Sequence, residues 1–256
     1  MLLDLLAGRA AGIHLDRAAL EIARIEYPDL DPGPFLGELD RHAAAIADRV
    51  PDLSDGPRFI SEANAWLFGE LGLRGNQADY YNPANSCLNR VLETGLGIPI
   101  TLSVVYIEIA RRLAKPIHGI GLPGHFVIRY DDGFYSTFID PFHEGKLIDI
   151  GEVDPAVLRP FDTRSIVVRM LNNLRQIYFS RQDSAKALQV LDLLLAAEPD
   201  AADTHKQRAV ALIGQKRMAE SLTAFKRYLD LNPAAPDRDE IREQIRNLAF
   251  WLASRN

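Results

Sequence analysis

Two residues in the middle of the chain have the types and spacing for acid–base work. His125 and Asp140 lie 15 residues apart, on either side of Asp131-Asp132-Gly133. The runs Phe126-Val127-Ile128-Arg129-Tyr130 and Phe134 to Ile139 are rich in β-formers, and an Asp-Gly step between such runs predicts a hairpin. With Asp132-Gly133 as a two-residue turn, paired residues sum to 265. Tyr130 then faces Tyr135, Ile128 faces Thr137 and His125 faces Asp140. Directly opposed side chains have Cβ atoms about 4.5 to 5.5 Å apart, so the carboxylate can hold the imidazole. Such a contact fixes the tautomer and favours the imidazolium, which is what the third member of a nucleophile–base–acid set must do. A solvated cross-strand ion pair is the plainer alternative, worth about 0 to 1 kcal/mol. Phe126, Ile128, Tyr130, Tyr135 and Ile139 form the expected core face. His125, Arg129, Ser136 and Asp140 share the other face with Val127 and Phe138, a mixture that can line a cleft.

The remaining candidates are weaker. Cys87 is expected in the first turn of a helix, where the positive end of the helix dipole can lower a thiol pKa, although a lone cysteine is commonly inert packing. Ser86 reads as a cap, and Thr101 and Ser103 as capping or backbone-bonding hydroxyls. Gly119-Ile120-Gly121-Leu122-Pro123-Gly124 spells the dinucleotide-binding pattern. A strand follows it where a helix is required, so it offers no helix N-terminus to a pyrophosphate. His125, Asp140 and His143 are ligand types that suit zinc or iron. The Pro141 step leaves their geometry open, and neither a metal nor a cofactor is assigned.

These residues must be positioned by the elements around them. The first third reads as helices punctuated by proline: Leu20 to Ile25 before Tyr27-Pro28, Phe35 to Ile46 before Pro51, and about 57–71 with Phe59, Ala63, Leu67 and Leu71 at intervals of four. A loop rich in turn formers, Arg74 to Pro83, leads to Asn85-Ser86 as the cap of a helix from Cys87 to Glu93. Pro99 opens the next helix, whose apolar stripe runs from Leu102 to Leu113. Lys146 to Ile150 reads as a further strand. After about Arg164 a period of 34 residues relates Pro199 to Pro233, Ala187 to Ser221, Leu191 to Phe225, Tyr178 to Leu212 and Leu194 to Tyr228. That is the tetratricopeptide period, giving two repeats and a closing helix over Asp237 to Leu252.

Composition excludes several classes. The chain has 256 residues, 47% hydrophobic and 25% charged, with a net charge of -6, which disfavours nucleic acid as a partner. One cysteine permits no internal disulfide framework and fits a reducing compartment. The first residues, broken by Asp4 and Arg9, lack the order of a signal peptide. The apolar run Ile98 to Ile107 is too short to cross a bilayer. A cytoplasmic protein with no membrane partner is expected.

Four motifs, in order, carry a resemblance: Tyr80-Tyr81-Asn82-Pro83-Ala84-Asn85-Ser86, Gly97-Ile98-Pro99-Ile100-Thr101-Leu102-Ser103, Pro123-Gly124-His125-Phe126 and Ile139-Asp140-Pro141-Phe142. Together they resemble the bacterial transglutaminase-like proteins with a tetratricopeptide tail, a family named after a regulator of invasion genes. The resemblance implies an α+β fold. A papain/transglutaminase-like core with a helical N-terminal part occupies 1–163, and an all-α tetratricopeptide-repeat region occupies 164–256. In active enzymes of this class a cysteine stands at the N-terminus of a buried helix, and histidine and aspartate come from adjoining strands. His125 and Asp140 match the family positions of that pair. The cysteine does not carry over, because counting back from Lys115-Pro116 places it near Pro99, and Ile98 to Thr101 contain none. The expected role is protein binding or regulation by a pseudoenzyme, with a protein or peptide partner engaged by the repeats. The rival is an amide hydrolase or acyltransferase using Cys87, or a hydroxyl near Thr101 and Ser103, with His125 and Asp140.

Overall fold

A computed structural model describes residues 1–9, 12–151, 154 and 158–254. The chain divides into two compact units, one spanning Gly12–Met170 and the other combining Met1–Ala11 with Leu171–Asn256.

The first unit is built around one helix. After α1 (Leu2–Leu6), which belongs to the other unit, come α2 (Leu15–Ala23), α3 (Gly33–Ala47), α4 (Gly56–Asn64), α5 (Leu88–Thr94) and α6 (Pro99–Arg112). Pro99 occupies the first turn of α6, where its missing N–H costs nothing. Almost every residue of α6 from Pro99 to Ala110 is buried, including Glu108. That buried charge is satisfied on both oxygens. Oε1 accepts from the backbone N–H of Leu15 at 3.0 Å, and Oε2 accepts from Arg111 and Arg112 at 2.8 and 3.1 Å. Arg112 continues to Asp16 at 2.7 Å and Asp40 at 2.6 Å. This network ties α6 to α2 and α3, and breaking one partner would leave an uncompensated buried charge. The periodic segment 57–71 continues α4 as a π-helical stretch, Ala65–Glu70, with Phe59, Ala63 and Leu67 all fully buried.

Two short strands, β1 (Arg74–Gly75) and β2 (Leu96–Gly97), pair in parallel. The main sheet is antiparallel in the order β3-β4-β5-β6, formed by Ile117–Leu122, His125–Asp131, Ser136–Asp140 and Lys146–Ile148. Val127 and Ile128 point to opposite faces of β4 and both are fully buried, so both faces of the sheet are covered there.

The β4–β5 register corrects the expected pairing. Ile128 faces Ile139, Tyr130 faces Thr137 and Asp131 faces Ser136, so the pairs sum to 267 and the loop has four residues, Asp132 to Tyr135. The cause is local. Oδ1 of Asp132 accepts from the backbone N–H groups of Phe134 at 2.9 Å and Tyr135 at 2.7 Å, an arrangement that competes with strand pairing. Gly133 takes a φ of +86° while Asp132 does not enter the left-handed region, so the two-residue turn that needs positive φ at both positions is not formed. Phe134 is fully exposed, and Tyr135 lies in the loop, half-buried, outside the core face expected for it. The Gly119-to-Gly124 motif falls on β3 and the β3–β4 turn. A Cβ at Gly119 would lie 2.6 Å from the Phe126 ring, and one at Gly121 would lie 2.6 Å from Phe161. These glycines admit aromatic rings against the strand.

In the second unit the helices α7 (Thr163–Ser180), α8 (Ser184–Ala197), α9 (Ala202–Gly214), α10 (Met218–Leu231) and α11 (Arg238–Ala253) follow one another, with the start of α7 in the first unit. The helices α8 and α10 begin and end 34 residues apart, as the repeat requires. Gln182 and Lys216, also 34 apart, both take positive φ, 56° and 58°, so the two tight turns within the repeats share one backbone conformation. Ala187 and Ser221 are buried, and the Ser221 hydroxyl donates to the Ala209 carbonyl at 2.9 Å. No helix among the described residues is long and apolar enough to cross a membrane.

Candidate functional site

His125 opens β4 directly after Gly124, whose φ of +69° completes a two-residue turn from Leu122. Asp140 closes β5 and caps the short 3₁₀ turn Pro141–His143. Its Oδ1 accepts from the backbone N–H groups of Phe142 at 3.0 Å and His143 at 3.3 Å. The carboxylate is therefore aimed by the backbone, and Oδ2 stands 2.8 Å from Nε2 of His125. The register places the two residues diagonally, still on one face, because a slip of two residues conserves side-chain direction.

His143 joins them. Its Nδ1 lies 2.8 Å from the same Oδ2, so two imidazoles converge on one oxygen. Burial of Asp140 opposes its ionisation, but the hydrogen bonds with His125 and His143 outweigh that and hold the carboxyl at about 2. The carboxylate is buried, His125 is half-buried and His143 is exposed.

Three supports could not be read from the pair itself. The Arg169 guanidinium, from the start of α7, donates to the carbonyls of His125 at 2.6 Å and Leu122 at 3.1 Å, and it sits over the Phe126 and Phe161 rings. Asn64 donates to the Gly145 carbonyl at 2.8 Å and accepts from the Tyr106 hydroxyl at 3.1 Å, tying the turn after Asp140 to α6. The third support is the loop before α5, closed by asparagines. The side chain of Asn85 accepts from Asn76 at 3.0 Å and donates to the Asp79 carbonyl at 2.7 Å. It brings Tyr80 to 5.9 Å from the Phe142 ring, which is in turn 6.4 Å from His125. A cavity of about 550 Å³ opens beside this cluster, bounded by Arg74 to Ala78, Leu96 and Phe142 to Glu144.

The thiol and hydroxyl candidates sit elsewhere in character. Cys87 is the N-cap residue of α5, ahead of its first turn; neither Asn85 nor Ser86 takes that position, since both belong to a 3₁₀ turn, Pro83–Ser86. Cys87 is completely buried, and its Sγ lies 3.4 Å from the Pro83 carbonyl. The Ser103 hydroxyl is buried and donates to the Pro99 carbonyl at 2.8 Å. Ser86 and Thr101 are buried, and among the described residues their hydroxyls have no hydrogen-bond partner.

Comparison with known proteins gives two family matches. The transglutaminase-like superfamily matches residues 34–172, and the tetratricopeptide repeat matches 174–246. A "UPF0162 protein" of Xylella fastidiosa (strain Temecula1) is 34% identical over 256 residues, covering 93% of this chain and 90% of its own length. "Protein SirB1" of Salmonella typhimurium is 22% identical over 248 residues, with 90% of each chain covered. Human "F-box only protein 21" is 32% identical over 177 residues, 61% of this chain but 28% of its own.

Proposed function

Since the chain belongs to the transglutaminase-like superfamily and continues into tetratricopeptide repeats, we propose that it is a protein-binding or regulatory protein whose core has lost the thiol of its enzymatic relatives. One observation carries this reading. The first turn of the buried helix α6, where the family's nucleophile is expected, begins Pro99-Ile100-Thr101, and the chain's single cysteine is sealed at the start of a different helix, α5. Fold and function are separable in this way, because the chemistry resides in the site.

The amide-cleaving alternative asks a substrate to reach atoms that have no exposed surface, whether Cys87, Thr101 or Ser103. Binding has a surface available. Within the repeats a groove of about 510 Å³ is bounded by Asp192 and Leu195 of α8, His205 and Arg208 of α9, and Glu220, Thr223, Ala224 and Arg227 of α10. Its mixed charge suits a polar peptide segment with both signs.

The test pairs two measurements on the full chain. Crosslinked capture from extracts of the source cells is compared between wild type and Thr223→Arg, an exposed groove substitution, and hydrolysis and transamidation of a glutamine peptide are compared between wild type and Cys87→Ala. The proposal expects a partner lost in Thr223→Arg and no turnover that depends on Cys87. Turnover abolished by Cys87→Ala, or capture identical in both proteins, overturns it.

A further inference from the structure

We propose that His125, Asp140 and His143 form a binding site for a divalent transition-metal ion of the zinc or iron class. The inference rests on geometry and donor chemistry and is independent of what the repeats bind. His125, Asp140 and His143 each offer one ligand atom, and these atoms all lie within 4.8 Å of one another. Nε2 of His125 and Nδ1 of His143 are both 2.8 Å from Oδ2 of Asp140. A tetrahedral ion with bonds of about 2.0 to 2.2 Å separates its ligand atoms by roughly 3.3 Å, so binding opens the two contacts to Asp140 by about 0.5 Å and draws the two histidine ligand atoms, which lie within 4.8 Å of each other, toward the same separation.

The chain supplies the parts that hold ligands in place. Backbone N–H groups of Phe142 and His143 occupy the second carboxylate oxygen of Asp140, which leaves Oδ2 as a single, oriented donor. His125 is anchored through its carbonyl by Arg169. Such outer contacts are the usual means of aiming metal ligands. His143 stands on a short turn with its side chain 54% exposed, so its ring is free to turn into the position an ion requires, and it also borders the 550 Å³ cavity, which gives a path from solvent. Two imidazoles and one carboxylate select borderline ions such as zinc, iron(II) or cobalt(II) over calcium and magnesium, which take oxygen ligands. Three protein ligands leave at least one coordination position for water or a ligand from the cavity.

The test uses the full chain after chelator treatment. Zinc is titrated by calorimetry, and cobalt(II) is added separately for its visible spectrum. The proposal expects one equivalent of zinc, resonance shifts confined to His125 and His143 among the six histidines, and a cobalt spectrum without thiolate bands that is unchanged in Cys87→Ser. Affinity should fall roughly a hundredfold in His143→Ala, a substitution at an exposed turn that leaves the fold intact, and stay unchanged in His205→Ala. Zinc bound equally well by His143→Ala, or no zinc binding in the micromolar range by the wild type, overturns the proposal.

Discussion

Nε2 of His125 meets Oδ2 of Asp140 at 2.8 Å although the two residues are not directly opposed in the sheet. The four-residue loop between β4 and β5 sets this diagonal relation, and Asp132 shapes that loop by accepting two backbone N–H groups and the Tyr130 hydroxyl, the last at 2.9 Å. Asp132→Ala should therefore destabilise the protein, read as a lowered urea midpoint. A midpoint equal to wild type would mean that the loop is held by something else.

Arg169 clamps the hairpin from outside it. Its donation to the His125 and Leu122 carbonyls is charged hydrogen bonding at a partly buried site, and removing it takes a charged donor from both acceptors. Arg169→Ala should cost roughly 2 kcal/mol, and Arg169→Lys should recover little because a point charge cannot reproduce a planar guanidinium lying over two rings. Full recovery by lysine would show that charge alone matters there.

In the repeats the tight crossings exclude large side chains. Ala187 is 1% exposed, and a Cβ on Gly214 would come within 2.3 Å of the Ser184 hydroxyl. Ala187→Leu should destabilise by about 1 to 3 kcal/mol through overpacking, measured as a fall in Tm. An unchanged Tm would contradict the packing described for α8.

Tyr228 offers a pH signature for the joint between α10 and α11. Its hydroxyl donates to Asp237 at 2.6 Å, and that bond, aided by burial and by the charge of Asp237, pushes the phenol up to about 12. A folded-state value above the unfolded one means that the contribution is complete below about pH 10 and lost as pH rises toward 12. The stability difference between wild type and Tyr228→Phe should be constant from neutral pH to about 9.5 and shrink above it. A difference that is flat through pH 12 would count against this bond.

Much of the architecture is legible in the sequence because it rests on periodic patterns. The 34-residue interval locates the repeats, since each position of one copy must occupy the same environment in the next. The pairing of His125 with Asp140 survives an error of two residues in register because strand faces repeat every two residues. The error arises at Asp132, whose side chain acts as a backbone acceptor, a choice that the Asp-Gly dipeptide does not reveal. Arg169 and Asn64 escape a local reading for another reason: they reach the site from 44 and 81 residues away in sequence, and only the folded chain brings them there. The glycines of β3 look like a phosphate loop by spelling, and their use, to seat Phe126 and Phe161, depends on rings whose positions the motif does not contain.

Whether this core retains cysteine chemistry can be measured at one atom. Native protein is treated with iodoacetamide at neutral pH, and modification of Cys87 is followed by mass spectrometry in wild type and in His125→Ala, with a denatured sample as reference. A sealed, un-ionised thiol reacts slowly, whereas a thiolate activated by a histidine reacts fast. The expected result is slow or absent labelling in both native proteins and complete labelling after denaturation; rapid native labelling that disappears in His125→Ala would contradict it.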